Sequence, residues 1–252
     1  MQNLSLITDQ IRDKISVLPK IDNEKKCKRL WEKNFINKNY SILLSAFVDV
    51  EELASRLERN IQSSVLIERE YQSKPFFKEK ISVIPEEGQI LLRKSDKLMR
   101  SVKTDFKALY IFTKIFIDKY VQYLHFLSPI DGIRSGSVLK YMNSLEFYTG
   151  QNSFVIGYRD EVIDILKKLN STLTFYRDNY IVHSKLQENF DVWFTNDMHG
   201  GVKFTHVNRD ERSEISSLNP RDLLQICFDF ISKSQKYFLK NWSCDFRRNT
   251  LK

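Results

Sequence analysis

The chain has 252 residues, of which 42% are hydrophobic, and this content can bury a sizeable core and excludes a disordered protein. Lys and Arg outnumber Asp and Glu by 40 to 32, a formal charge of +8. Such an excess attracts polyanions such as RNA, DNA or acidic proteins, although a merely solvated basic surface explains it equally well. Only seven Gly and five Pro occur, which favours an all-α fold of long helices with short connections.

The cysteines and the apolar runs predict the cellular compartment of the protein. Cys27, Cys227 and Cys244 form no CxxC pair and are odd in number, which predicts free thiols in a reducing environment and no structural zinc site. Asp9 and Arg12 precede any apolar run, so we expect no signal peptide. The most apolar stretch, YIFTKIFI, contains a lysine and is far shorter than the ~20 residues that span a bilayer. We therefore expect a cytoplasmic protein with no membrane partner.

Residues 1–95 are predicted to form a helical N-terminal region. The stretch YSILLSAFVDVEELASRLERNIQSSVLIEREYQ fits one long helix, although its start is also compatible with a strand. The segment KPFFKEKISVIPEEG, with Pro75 and Pro85, is predicted to be a connection. Helix resumes through QILLRKSDKLMRSVK, which can continue into the helix that follows.

Residues 96–252 are predicted to form a second, helical domain. Between Asp105 and Phe126 apolar residues recur at intervals of three and four, which predicts a helix with one broad buried face. Ser128 and Pro129 are expected to end it, and a shorter helix follows in SVLKYMNSLEFYTG, with Gly150 as its C-terminal cap.

A third helix of this domain is predicted to start near Ser153. Its residues Val162, Leu166, Leu169, Leu173 and Tyr176 are spaced four, three, four and three, which predicts one seam facing a partner helix. The seam leads directly into the segment YRDNYIVHS.

A small β-hairpin and a last helix complete the predicted elements. DVWFT and VKFTHV alternate apolar and polar residues around a Gly-Gly turn, which predicts the hairpin. The last helix has a clear start signal, with Asn219 as N-cap, Pro220 at the first helical position and Asp222 in the first turn.

Motifs of several enzyme classes are absent from the sequence. GxxxxGK[ST], GxGxxG, GxSxG and HExxH do not occur, so nucleotide-cradling loops, a nucleophile elbow and a zinc protease site are not indicated. His199 and His206 flank the predicted hairpin turn near Asp191 and Asp197, but such side chains are usually solvated surface, and we expect no metal and no cofactor. His125 is expected to be a partly buried histidine near a helix end.

The segment from residue 177 to 183 combines Arg177, Asp178 and His183. On a helix, Arg177 and His183 would lie about 120° apart and about 9 Å along the axis, too far to close together on one small substrate. A twofold dimer would gather two such pairs in one cleft. Histidine suits proton transfer near neutral pH, and arginine suits a phosphate oxyanion, so the pair suffices for metal-free attack by the 2′-hydroxyl of RNA.

The motif RDNYIVH, an Arg, a polar residue and a His after four further residues, resembles that of the HEPN superfamily. The surrounding order of helices in residues 100–245 is similar as well. The resemblance implies a homodimeric helical bundle that often acts as a metal-independent endoribonuclease, yielding a 2′,3′-cyclic phosphate, in toxin–antitoxin and antiphage systems. It implies Arg177 and His183 as the catalytic pair, Asp178 as their support, RNA as substrate and an antitoxin or other defence protein as partner.

The chain departs from the family pattern in two places. A β-hairpin is inserted between the motif and the last helix, and Lys185 stands where HEPN toxins that are modified by nucleotidyl transfer have Tyr. The alternatives are a non-catalytic HEPN scaffold that binds a partner in a defence system, and a surface role in which Arg177, Asp178 and His183 only cap helix ends.

Overall fold

The computed structural model describes residues 3–18, 30–78, 83–127, 132–176, 186–194, 200–208, 214–215 and 220–241. Within these ranges the protein is predominantly helical, which agrees with the helical class predicted from the sequence. The helices are α1 (Leu4–Ser16), α2 (Leu30–Ser73), α3 (Pro75–Lys78), α4 (Glu86–Leu127), α5 (Val138–Glu146), α6 (Ser153–Tyr176) and α7 (Pro220–Asn241). The strands are β1 (Leu186–Phe194), β2 (Gly200–Asn208) and β3 (Glu214–Ile215).

The two longest helices, α2 and α4, form an antiparallel helical hairpin. They contain 44 and 42 residues, so each is about 65 Å long. As residue numbers increase along α2, the residues that they contact in α4 decrease in number. The Phe47 and Phe116 rings lie 4.9 Å apart, and Arg56 Nε donates to Asp105 Oδ1 at 2.9 Å. The segments predicted as helix on either side of residue 104 are therefore one continuous helix.

The predicted division at residues 95 and 96 falls within α4. Residues from both sides of it contribute to one hydrophobic cluster, which extends from Leu4 to Phe238. Helix α1 explains this, because it packs against the last helix, α7, as well as against α2. The N-terminal helix thus closes onto the C-terminal one.

Helix α1 is anchored by one apolar face and by two polar contacts. Its buried apolar residues are spaced three or four apart, and they are Leu4, Ile7, Ile11 and Ile15. Ser5 donates from its hydroxyl to Glu58 of α2 at 2.6 Å, and the Arg12 guanidinium pairs with Glu51, also on α2. The Arg12 guanidinium lies over the Phe47 ring, 5.7 Å from its centroid.

The short helix α5 begins and ends with local hydrogen bonds. Ser137 accepts from the Lys140 N–H at 3.3 Å and caps the N-terminus. The helix ends at Glu146, and the N–H of Phe147 donates to Asn143 O at 3.0 Å. The prediction of Gly150 as C-terminal cap is wrong, because the helix ends four residues earlier, at Glu146. Gly150 instead lies under the Tyr148 ring, where a Cβ would come within 3.0 Å of that ring.

Strands β1 and β2 pair antiparallel over the region for which the sequence predicts a β-hairpin. Their register runs from Leu186 opposite Asn208 to Phe194 opposite Gly200, and β3 adds a short third strand beside β2. The predicted turn, residues 195–199, lies outside the described residues. Both longer strands contact α2.

Among the helices that the structure describes, none has the length and apolarity needed to cross a membrane.

Candidate functional site

The three residues predicted to be catalytic, Arg177, Asp178 and His183, lie outside the described residues, so their roles stay predictions. The described residues on either side delimit the segment of the chain that contains them. Helix α6 ends at Tyr176, immediately before Arg177, and β1 begins at Leu186. The motif therefore follows the C-terminal end of a long helix, as the sequence predicts.

Helix α6 is held firmly by the core. Asn152 accepts from the Phe154 N–H at 3.0 Å and caps the N-terminus, so the predicted start near Ser153 is confirmed. Four residues of the predicted seam are buried, with at most 3% of any of these side chains exposed, and they are Val162, Leu166, Leu169 and Leu173. The side chain of Tyr176, the fifth, lies outside the described ones. Because the seam packs within the chain's own core, it is not available for contact with a second copy of the protein.

Helix α7 packs antiparallel to α6. Near the start of α6, Phe154 stacks edge-to-face on Phe238, and Tyr158 OH hydrogen-bonds to Ser234 Oγ at 2.9 Å. One turn further along α6, Lys233 Nζ donates to Glu161 O at 3.4 Å. Both helices continue past these contacts, α6 to Tyr176 and α7 back to Pro220, and Arg221 in the first turn of α7 is exposed.

A cluster of buried tyrosines at the interface of α4, α5, α6 and α7 contains ionisable groups but has a structural role. Tyr120 OH donates to Ile231 O at 3.3 Å, and Tyr158 pairs with Ser234. Burial raises the pKa of Tyr120, Tyr141 and Tyr158, so all three phenols stay protonated at neutral pH. They therefore offer no general base.

The buried carboxylate of Asp105 is likewise occupied within the fold. It accepts from Arg56 Nε and from Asn60 Nδ2, each at 2.9 Å, and only 3% of its side chain is exposed. A carboxylate whose oxygens are paired in this way connects α2 to α4.

His125 is a partly buried histidine two residues before the end of α4, as the sequence predicts. Its Nδ1 has no hydrogen-bond partner among the described residues, and it lines a small cavity together with Tyr141 and Tyr158. Burial lowers the pKa of His125, because the charged imidazolium would lose solvation.

The histidines around the predicted turn do not gather a metal site in the described part of the chain. His206 pairs with Glu188 in the strand register, whereas Asp191 pairs with Lys203. His199 and Asp197 lie outside the described residues. No group of three or more His, Cys, Asp or Glu that could hold a metal ion occurs among the residues that are described.

A surface feature that the sequence analysis missed lies around α5. An open groove of about 630 Å³ separates the loop before α5 from the segment that joins α5 to α6, and we call it the α5 groove. Its lining residues are Gly132, Arg134, Lys140, Asn143, Ser144, Phe147, Tyr148, Thr149 and Gly150. Two basic residues, Arg134 and Lys140, followed by the aromatic pair Phe147 and Tyr148, are the sequence signal that could have revealed it.

Comparisons of the chain with family models, with curated proteins and with solved structures find no match. Function must therefore be inferred from the motif, from its helical setting and from the chemistry of the surface.

Proposed function

We propose that the protein is a metal-independent endoribonuclease of the HEPN type, which acts in the cytoplasm as a homodimeric toxin or antiphage effector. The observation that carries the proposal is the motif RDNYIVH, placed immediately after the long helix α6 of a predominantly helical protein. Support also comes from the net charge of +8, which favours a polyanionic substrate.

The proposed chemistry needs only the groups of the motif. The imidazole of His183 accepts the proton of an RNA 2′-hydroxyl, whose oxygen then bonds to the adjacent phosphorus. The bond from phosphorus to the 5′-oxygen breaks, and that oxygen takes a proton from the second copy of His183. Arg177 holds the phosphate oxygens with its planar guanidinium, and Asp178 orients it. The products are a 2′,3′-cyclic phosphate and a 5′-hydroxyl.

The proposed dimer supplies the second imidazole. Since the α6 seam is buried in the core of each chain, the two copies meet through other surfaces. The exposed face of α6 is mostly charged, with Asp160, Glu161, Asp164, Lys167 and Lys168, and it is poorly suited to a dry interface. We therefore place the dimer contact around the motif segment itself. An antitoxin or another defence protein would bind the same region to block it.

The proposal is tested by incubating the purified protein with single-stranded RNA in excess EDTA. We expect cleavage by the unmodified protein and none by the Arg177→Ala, His183→Ala double variant. A matched control, Arg93→Ala with His206→Ala, also removes one Arg and one His and should still cleave. Unchanged cleavage by the Arg177 and His183 variant would refute the assignment of the site.

A second candidate function, a non-catalytic scaffold that binds a partner, is favoured by the far end of the helical hairpin. We call residues 62–100 the hairpin tip. Large apolar side chains are exposed there, with Leu66 60%, Val83 74% and Phe77 46% accessible. A dimer in which the two His183 side chains lie far apart, together with an absence of RNA cleavage, would support the scaffold over the ribonuclease.

A further inference from the structure

The α5 groove is a built feature, because short contacts fix both of its walls. The loop before α5 is anchored by buried Ile133, and the N–H of Arg134 donates to Ser144 Oγ at 3.0 Å. The Ser144 hydroxyl in turn donates to Tyr141 O at 2.9 Å, within α5. The loop is therefore held against the helix, and the backbone below Arg134 has a defined position.

The opposite wall is fixed by an aromatic ring packed on glycine. Gly150 lies so close under Tyr148 that a Cβ there would reach the ring carbon Cζ at 2.5 Å. Gly132, on the other side of the groove, has a φ of 88°, a conformation that few other residues adopt. The N–H of Tyr148 donates to Leu145 O at 3.3 Å, which ties the wall to the end of α5.

Positive charge in the groove is not neutralised by the described residues around it. Arg134 and Lys140 are both exposed, and no Asp or Glu lines the groove in the part of the chain that the structure describes. The nearby carboxylate of Glu146 pairs with Lys167 of α6 at 2.7 Å. The groove thus offers two cations to an anionic ligand.

An uncovered aromatic ring lies beside these cations. Phe147 is 73% exposed, at the point where α5 has just ended. A ring in this position presents a flat apolar face to solvent, and the amide of Asn143 and the hydroxyl of Thr149 lie around it as possible hydrogen-bonding groups. Cations that bind phosphates and a ring that stacks on a base are the combination that binds single-stranded nucleic acid.

We propose that the α5 groove binds single-stranded RNA, with a base stacked on Phe147 and the neighbouring phosphates held by Arg134 and Lys140. An acidic peptide would satisfy the cations but would leave the ring uncovered, so the observations favour a nucleic acid. The choice of RNA over DNA rests on the proposed function.

The groove adjoins the N-terminal end of α6. The 24 residues of this helix place Tyr176, which directly precedes Arg177 in the chain, about 36 Å from that end. The groove therefore holds a distant part of the substrate strand and does not contact the scissile phosphate. Its contribution is to affinity and to the choice of substrate.

The experiment measures binding of a fluorescent single-stranded RNA by anisotropy, with every groove variant made in the His183→Ala background so that the probe is not cut. The double variant Arg134→Ala, Lys140→Ala should raise Kd about tenfold and reduce the slope of log K against log salt by about 1.4, for two phosphate contacts. Phe147→Ala should raise Kd about fivefold or more with an unchanged salt slope, and Phe147→Trp should retain binding.

The matched control removes two exposed charges elsewhere. Arg93→Ala with Lys94→Ala, at the hairpin tip, should leave both Kd and the salt slope nearly unchanged. An equal loss of affinity in the tip and groove variants would overturn the proposal, because binding would then reflect net charge alone. Tighter binding of poly-glutamate than of RNA would overturn it in favour of an acidic protein partner.

Binding and cleavage are read separately, so the two proposals can fail independently. A protein that binds RNA through the groove but never cuts it would refute the proposed ribonuclease and keep the groove assignment. A protein that cuts RNA at the same rate and with the same KM after Phe147→Ala, with unchanged Kd, would refute the groove and keep the ribonuclease.

Discussion

The two ends of the helical hairpin differ sharply in how they are packed. At one end, residues 43–61 of α2 and 102–127 of α4 belong to the main hydrophobic cluster, together with α1, α5, α6 and α7, and Phe116 and Tyr120 are fully buried. At the hairpin tip, residues 62–100, Val65, Phe76 and Leu91 are buried outside that cluster. The tip is held mainly by ring contacts of Tyr71 with Phe76 and Phe77.

This difference indicates that the bundle contributes most of the stability of the fold, and that the surface of the tip tolerates substitution. Side chains in the bundle contact several helices at once, so their removal leaves cavities that the fold cannot fill. At the tip, the described ring contacts join α2 to the short helix α3, and Leu66, Phe77 and Val83 are exposed. Substitutions of these exposed side chains should cost little, and any function of the tip should lie in binding.

The largest difference in the free energy of unfolding is expected between variants of two phenylalanines, one in the bundle and one at the tip. Phe116→Ala in the bundle should lower the free energy of unfolding by about 3–5 kcal/mol, because the ring is 1% exposed and packs on Phe47. Phe77→Ala at the tip, where the ring is 46% exposed, should cost under about 1 kcal/mol. Urea unfolding followed by far-ultraviolet circular dichroism measures both. Equal losses at the two positions would contradict the comparison.

A smaller difference in stability is expected between variants of two ion pairs, one in the bundle and one at the tip. Asp105→Ala should lower the free energy of unfolding by about 1–3 kcal/mol, because it leaves the Arg56 guanidinium and the Asn60 amide without their acceptor. Glu87→Gln at the tip, which removes the charge that pairs with Lys74, should leave the unfolding midpoint unchanged because that pair is solvated. A tip variant as unstable as the Asp105 variant would show that the tip is part of the core.

The smallest effect concerns the pH dependence of the bundle. Burial lowers the pKa of His125 in the folded protein below the value of about 6.5 in the unfolded chain. Above about pH 6.5 the imidazole is neutral in both states. As the pH falls, the unfolded chain binds the proton first, so the free energy of unfolding decreases until the pH passes below the folded pKa.

The measurement for His125 is the urea midpoint at pH 7.5 and at pH 5.5. The His125→Gln variant serves as the control, and it should lose less stability than the unmodified protein between these two pH values. An identical loss in both proteins would show that His125 does not contribute to the pH dependence.

The sequence predicted best those elements whose signals are local. The seam from Val162 to Leu173 is buried as its spacing indicates, α6 starts near Ser153, and α7 begins at Pro220. A helical period and a start signal depend only on neighbouring residues, so a single sequence contains them. Helix α1 has the same kind of period, with Leu4, Ile7, Ile11 and Ile15, although the sequence analysis did not single it out.

Features that depend on distant residues could not be predicted. Asp105 lies in the middle of α4, where Arg56 and Asn60 of α2 compensate its burial, and no local pattern indicates these partners. The prediction of Gly150 as a cap is wrong for a local reason, because the helix already ends at Glu146 and Gly150 accommodates the ring of Tyr148. The α5 groove has a sequence signal, but its shape depends on the contact of the Arg134 N–H with Ser144, ten residues along the chain.

The analysis of cleavage products tests the proposed function most directly. RNA with a single labelled strand is incubated with the protein in excess EDTA, and the new ends are identified by mass spectrometry. If His183 transfers protons in attack by the 2′-hydroxyl, the products end in a 2′,3′-cyclic phosphate and a 5′-hydroxyl, and DNA of the same sequence stays intact. A product with a 3′-hydroxyl, or cleavage that requires added magnesium, would contradict the proposal.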